Sequence, residues 1–208
     1  IVSMYEENME KIGDDKVSAI YVTKIDGNAV NLLGHNSYHA EILDGIADNI
    51  APEAVAGSGL GDQYTMEDIF QMNPDYIIVS GSGLFDHDYY NEIMGSDMWA
   101  ALPAVQEGRV IESPADAPWA WMGNPPASHR LISILWLGNI FYPDVFDYDL
   151  EEKVKEFYSM FYNYELSNDE YAEMLKYSTG NAEQTASSPA PVLGVLAGLG
   201  AAFLLRRR

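Results

Sequence analysis

The sequence predicts an α/β fold: a three-layer α/β/α sandwich around a mostly parallel central sheet, a Rossmann-like lobe. Two observations carry this prediction. Helical patterns alternate with short apolar strands along the chain, and no region is rich in hairpins; helices then cover both faces of a mostly parallel sheet. Residues 64–79, YTMEDIFQMNPDYIIV, hold the repeating unit in miniature. Thr65 is a good N-cap, and Asp68, three residues later, stands where a capping box places its carboxylate. Met66, Ile69, Phe70 and Met72 supply the apolar positions of a short helix, and Asn73-Pro74 ends it, because a residue before proline is pushed out of the α region. Tyr76-Ile77-Ile78-Val79 is too apolar for a half-exposed strand and reads as a parallel strand buried on both faces. Ser80-Gly81-Ser82-Gly83 follow at its carboxyl end, where ligands of open α/β sheets bind.

The other elements follow in order. Residues 3–13 have helical spacing through Met4, Tyr5, Met9 and Ile12, with Gly13 as the stop. Residues 17–23 form the first strand, Asp26-Gly27 a turn, and residues 28–33 a brief extension. Tyr38, Ile42, Leu43, Ile46 and Ile50 mark an amphipathic helix over residues 35–50. The Gly- and Ala-rich stretch 52–62 is expected to be a strand edge plus loop. A short helix at 90–94 and a short strand at 110–112 come next, the strand ending in a loop over 113–124. Helices are predicted from Pro126 to about Phe141, over 150–162, and over 168–177 behind the N-cap Ser167. Residues 178–191 are a polar Ser/Ala/Pro-rich linker, and residues 192–205 carry no charge before Arg206-Arg207-Arg208.

The chain has 208 residues, enough for one domain with appendages. Its net charge is −21, and setting aside the three terminal arginines takes the balance to −24. Phosphate backbones need basic patches, so nucleic acid is excluded as a partner. No cysteine is present, which removes disulfides and thiolate metal sites. The apolar tail of fourteen residues covers roughly 21 Å as a helix, against a hydrocarbon core of ~30 Å. Snorkelling arginines extend that reach, and the positive-inside rule puts them on the cytoplasmic side with the domain outside. Ile1 stands first in place of Met, and the expectation is that processing or truncation removed upstream sequence.

Three stretches in order, YTMEDIFQMNPDYIIVSGSG, WAALPAVQEGRVIESP and PPASHRLISILWLGNIFYPD, resemble the substrate-binding proteins of ABC importers for iron chelates and corrinoids. In that family a Thr- or Ser-x-Glu opens a helix that ends in Asn/Ser-Pro-Asp before a buried strand. The resemblance covers residues 17 to about 165. It implies two α/β lobes joined by a long helix, with ligand held between them and delivered to an ABC permease. It places this chain in the second lobe: residues 1–13 as the end of the interlobe helix, 14–177 as the lobe, 178–191 as the linker and 192–208 as the anchor. The tail resembles the C-terminal sorting anchors of archaeal surface proteins, with Pro189-Ala190-Pro191 where their Pro-Gly-Phe signature would be. The implied location is the extracellular face of the cell membrane. By the motif Thr65-Met66-Glu67, the resemblance also gives Glu67 the role of docking into an arginine pocket on the permease.

The candidate ligand wall is the set of loops after the strands. It draws on His35 and Tyr38, on Gln63 and Tyr64, on Ser82, and on Trp119, Trp121 and Met122. The last three are aromatic or soft side chains in a loop, offering flat surface to a macrocycle or catecholate ring. The expected ligand is an iron chelate or corrinoid, with no resident cofactor and no metal site. His35 and His39 are four apart, as paired zinc ligands are, but lack a third ligand; Asp86, His87 and Asp88 read as a solvated turn. No catalytic constellation stands out, so the reading is a binding protein and not an enzyme. Alternatives stay open: a molybdate or tungstate binder, a chelatase-like or metallocluster enzyme domain, or a surface interaction module without a small ligand.

Overall fold

The computed structural model describes residues 1–57, 59, 61–81, 87–115, 120–122 and 128–180. The linker from 181 onward and the apolar tail 192–208 lie outside them. Helix α1 (Val2–Ile12) ends at Gly13, whose φ of 59° suits glycine. Strand β1 (Ser18–Asp26) turns at Gly27 into β2 (Ala29–Leu32), an antiparallel hairpin. Then come α2 (Glu41–Ile46), β3 (Asp48–Asn49), β4 (Asp62–Thr65), α3 (Met66–Met72), β5 (Tyr76–Val79) and α4 (Asp88–Gly95). A 3₁₀ turn (Trp99–Ala101), α5 (Pro103–Gln106), β6 (Val110–Glu112), α6 (His129–Phe141), α7 (Leu150–Tyr162) and α8 (Asn168–Met174) complete the order.

The strands lie in the order β4-β2-β1-β5-β6, with β3 beside the start of β1. β3, β5 and β6 run parallel to their neighbours in this core, while β2 is antiparallel to both β1 and β4. Side-chain alternation divides the interior into two cores. Ala19, Tyr21, Ile78 and Ile111 face α1, α2, α6 and α7; Ile20, Val22, Ile77, Val79 and Val110 face α3, α4 and α5. A bulge at residues 22–24 shifts the parity of β1, so Ile25 stays on the second face with Val22. The three-layer sandwich is therefore as the sequence predicts.

The unit that opened the sequence reading forms as expected. Asp68 N–H donates to Thr65 Oγ1 at 3.3 Å and the Asp68 carboxylate accepts from Thr65 N at 2.8 Å, a reciprocal capping box. Asn73 closes α3 with φ 45°, and β5 is buried between β1 and β6. Two expectations differ. The helix expected over 35–50 is only α2, because Asp44 accepts from Asn36 N and Asn49 Nδ2 (both 2.8 Å) and Asp48–Asn49 pairs with β1 instead. The stretch 52–62, expected as a strand edge plus loop, gives way at Asp62 to edge strand β4, which runs up to the N-cap Thr65; Gly61 lets the chain pass so close to Leu32 that a Cβ would sit 2.2 Å from its carbonyl oxygen. At the far end, Ser178 is buried and its carbonyl accepts Trp136 Nε1–H at 2.6 Å, so the fold holds the chain through that residue.

Candidate functional site

Strands β5 and β6 end side by side in Ser80-Gly81 and Ser113-Pro114. Their backbones approach so closely that a Cβ on Gly81 would lie 1.9 Å from the Ser113 carbonyl oxygen. Beneath them lies the buried Tyr21, its hydroxyl beside Ser80 and Ser113. Burial pushes this phenol up to about 12, with the neighbouring Ser80 and Ser113 acting the other way, so it is neutral at physiological pH. The strand ends thus form one stiff rim.

The connection leaving β6 is fastened to that rim at Ala120-Trp121-Met122. Trp121 N–H donates to the Pro114 carbonyl at 2.8 Å and Met122 N–H to Ser113 Oγ at 3.3 Å. Ser133 Oγ donates to the Trp121 carbonyl, and His129 Nδ1 lies 3.2 Å from the Ala120 carbonyl. A carbonyl only accepts, so Nδ1 carries the proton and Nε2 accepts from the Tyr162 hydroxyl at 2.6 Å. Trp121 Nε1–H donates to Tyr158 Oη at 3.2 Å, and its ring meets Trp136 edge-on at 6.0 Å. Trp121 and Met122 are 2% and 4% exposed and belong to the first core. The sequence reading put them on the ligand wall; the structure puts them under it, as the plug that seats the loop. Trp119 and Ser82 lie outside the described residues.

On the outer side of β6, His87 Nδ1 meets the Glu112 carboxylate at 2.6 Å. His87 has φ 60° at the start of α4, and its ring packs on Tyr177 at 4.3 Å. Glu112 is only 6% exposed, and its N–H is bonded by the Tyr177 carbonyl at 2.8 Å. Sequence reasoning took His87 for a solvated turn residue and missed Glu112. The available signal was a carboxylate ending the apolar strand Val110-Ile111.

Strand β1 runs four residues past its last pair with β5, about 14 Å at 3.4 Å per residue, carrying β2 and β4 with it. One face of this extension covers the second core; Tyr64 packs there. Alternation turns Gln63 to the other face, in register with Asn31 and Lys24, which forms a polar shelf beside the rim. Glu67 is exposed in the first turn of α3, at this same end. Tyr38, 63% exposed, lies under the Arg130 guanidinium (4.7 Å), and Arg130 is ion-paired with Glu41. His35 is elsewhere: it lines an open polar groove of about 770 Å³ with Asp44 and Asn49, flanking the amino end of β1. The structure therefore groups Gln63, Tyr38 and Glu67 toward the carboxyl end and separates His35 from them. An apolar groove of about 510 Å³ opens at this end too, between Ile1, Val2, Leu131, Phe157, Met160 and Phe161. Among the described residues no three His, Asp or Glu side chains are placed to hold a metal ion, and no helix is long and apolar enough to cross a membrane.

A model of the periplasmic binding protein family matches residues 1–117, more than half of the chain. The chain belongs to the periplasmic binding protein family. Among solved structures it is similar to an ABC transporter solute-binding protein from Sulfurospirillum deleyianum, at 26% identity and a TM-score of 0.68, over 84% of this chain and 54% of that one. It shares its fold with the molybdate-bound periplasmic protein MolA of Haemophilus influenzae (20% identity, TM-score 0.60, 79% and 48% covered). It also shares it with Helicobacter pylori CeuE with Ni(II) bound (20% identity, TM-score 0.56, 84% and 53% covered). No curated protein matches the chain. The chain spans about half the length of these solved proteins.

Proposed function

We propose that this chain is the C-terminal lobe of the substrate-binding component of an ABC importer for an iron complex or a corrinoid. The observation that carries the reading is the stiff rim at the carboxyl ends of β5 and β6, with the polar shelf beside it, in a chain of the periplasmic binding protein family. The apolar groove at the same end supplies contact surface for a facing lobe, with α1 as the end of the interlobe helix. Capture between lobes and docking on the permease need no covalent step. Exposed Glu67 presents its carboxylate to the permease, where a basic pocket complements it. With Ser178 held in the fold, residues 181–191 act as the linker and 192–208 as the anchor on the extracellular face of the membrane; removing residues 181–208 is expected to release the protein from membranes.

The test joins the chain to its upstream lobe and titrates it with a ferric siderophore chelate and with a corrinoid, read by tryptophan fluorescence and melting temperature. Ligand at about 100 times its Kd stabilises by about 2.7 kcal/mol, which raises the melting temperature of a domain this size by about 5–10 °C. No change with either ligand would overturn the substrate assignment. Glu67→Arg is expected to leave folding intact, at a cost of about 0.3–1 kcal/mol from an unfavourable charge at the helix N-terminus. Import in cells should fall steeply; unchanged import would remove Glu67 from docking.

A further inference from the structure

The segment Ala120-Trp121-Met122 is fastened in part by a histidine that fits its place only while neutral. His129 is 0% exposed and occupies the first position of α6. Its Nδ1–H donates to the Ala120 carbonyl at 3.2 Å and its Nε2 accepts from the Tyr162 hydroxyl at 2.6 Å, so the two nitrogens are used in opposite senses. A proton added at Nε2 takes the lone pair that receives Tyr162, and the phenol must then find another acceptor for its own hydrogen. Burial disfavours the charged ring as well. So does the helix: α6 points the positive end of its dipole at this residue and has no acid in its first turn. The charged neighbours are committed elsewhere. Arg130, the next residue, pairs with Glu41 of α2. From α7 the ring meets Phe157 and the phenol of Tyr162, with Tyr158 packed beside them, while Lys153 and Glu156 of that helix pair with each other at 3.1 Å. The segment itself has no titratable side chain, and Asp116 is the one acid in the sequence from Ser113 to Ser128.

From this we infer that His129 is a proton-sensitive fastener: neutral, it holds Ala120-Trp121-Met122 against the end of β6, and protonation loosens that hold while the sheet stays folded. The inference goes beyond the importer reading and does not depend on it. A histidine in an opened segment takes up its proton near pH 6.5, about the ordinary value, whereas the fastened ring excludes it. The hold is therefore at full strength above about pH 6.5 and weakens below it, by up to about tenfold in the open-to-closed ratio per pH unit, the slope of one proton. Acid thus acts first on the carboxyl end of the sheet, the end at which open α/β sheets bind their ligands.

The test uses the full chain without ligand. Nitrogen NMR of the imidazole reads its tautomer and charge, and amide hydrogen exchange, expressed as protection factors, reads local opening from about pH 7.5 to about pH 5. The His129 ring is expected to carry its proton on Nδ1 and to be neutral at about pH 6. Protection of the Trp121 and Met122 amides, which are bonded to Pro114 and Ser113, should fall by up to about tenfold per pH unit below about pH 6.5, while the amides of β1 and β5 keep theirs. His129→Asn retains a donor for Ala120 and cannot titrate, so it should abolish this slope; Asp116→Asn should leave it intact. A ring that titrates near about pH 6.5 in the folded chain, or that carries its proton on Nε2, overturns the inference in the parent protein alone, whether or not the variant folds. Protection that ignores pH, a slope that survives His129→Asn or follows Asp116, and an equal loss across β1 and β5 each overturn it too.

Discussion

Replacing Trp121 separates a ligand-wall residue from a core residue, because the two roles predict opposite effects on stability. Trp121 is 2% exposed, packs edge-on against Trp136 and donates its indole N–H to Tyr158. Trp121→Ala removes a buried bicyclic ring, and truncations of that kind cost about 3–5 kcal/mol once the residual cavity is included. The lost hydrogen bond leaves the Tyr158 hydroxyl its contact with Met174 Sδ at 3.6 Å, which holds that part of the penalty near 1 kcal/mol, within the same range. With a urea m-value of about 2 kcal/mol/M, the unfolding midpoint should fall by about 1.5–2.5 M. Circular dichroism at the helical band measures it directly. Trp121→Phe keeps most of the ring and should lose only about 1–2 kcal/mol. A midpoint for Trp121→Ala within about 0.25 M of the parent would refute the reasoning, since that corresponds to roughly 0.5 kcal/mol, the range of a surface substitution.

Gly81→Val should destabilise by at least about 2 kcal/mol and lower the melting temperature by about 4–8 °C, because its Cβ would fall 1.9 Å from the Ser113 oxygen; an unchanged melting temperature would show that the rim yields. Glu170 is hydrogen-bonded first by the Tyr164 hydroxyl and then by Ser167, which lowers its carboxyl from the ordinary 4.5 to about 2. The folded value is the lower one, so this contribution is fully present above about pH 4.5 and is lost as the pH falls from there toward 2. Glu170→Gln should flatten the acid limb of a stability–pH curve in that window, and an identical limb would exclude the carboxylate as a contributor.

Local pattern carried most of the fold. β5 and α3 were legible because their caps and apolar runs are contained within a few residues, and α7 because its heptad-like apolar stripe is uninterrupted. β4 was not legible: Asp62-Gln63-Tyr64-Thr65 is short, polar and half exposed, and only its pairing with β2 makes it a strand. The helix expected over 35–50 shows the reverse case, where apolar spacing is overruled by Asp44, whose two bonds fold the segment back on itself. The site was less legible than the fold. Trp121 looks like a presented aromatic because it stands among prolines and glycines, yet its partners Tyr158, Ser133 and Trp136 come from helices 12 or more residues away. His87 and Glu112 are 25 residues apart, and nothing local announces their pairing.

The fastening of Ala120, Trp121 and Met122 ties the carboxyl end of β6 to the helices below it. Their backbone is held by Pro114, Ser113, Ser133 and His129, and the Trp121 ring by Tyr158 and Trp136. Their seating is therefore set by the core and not by their neighbours in sequence, and a change to the helix residues beneath them reaches the end of the sheet through this peg.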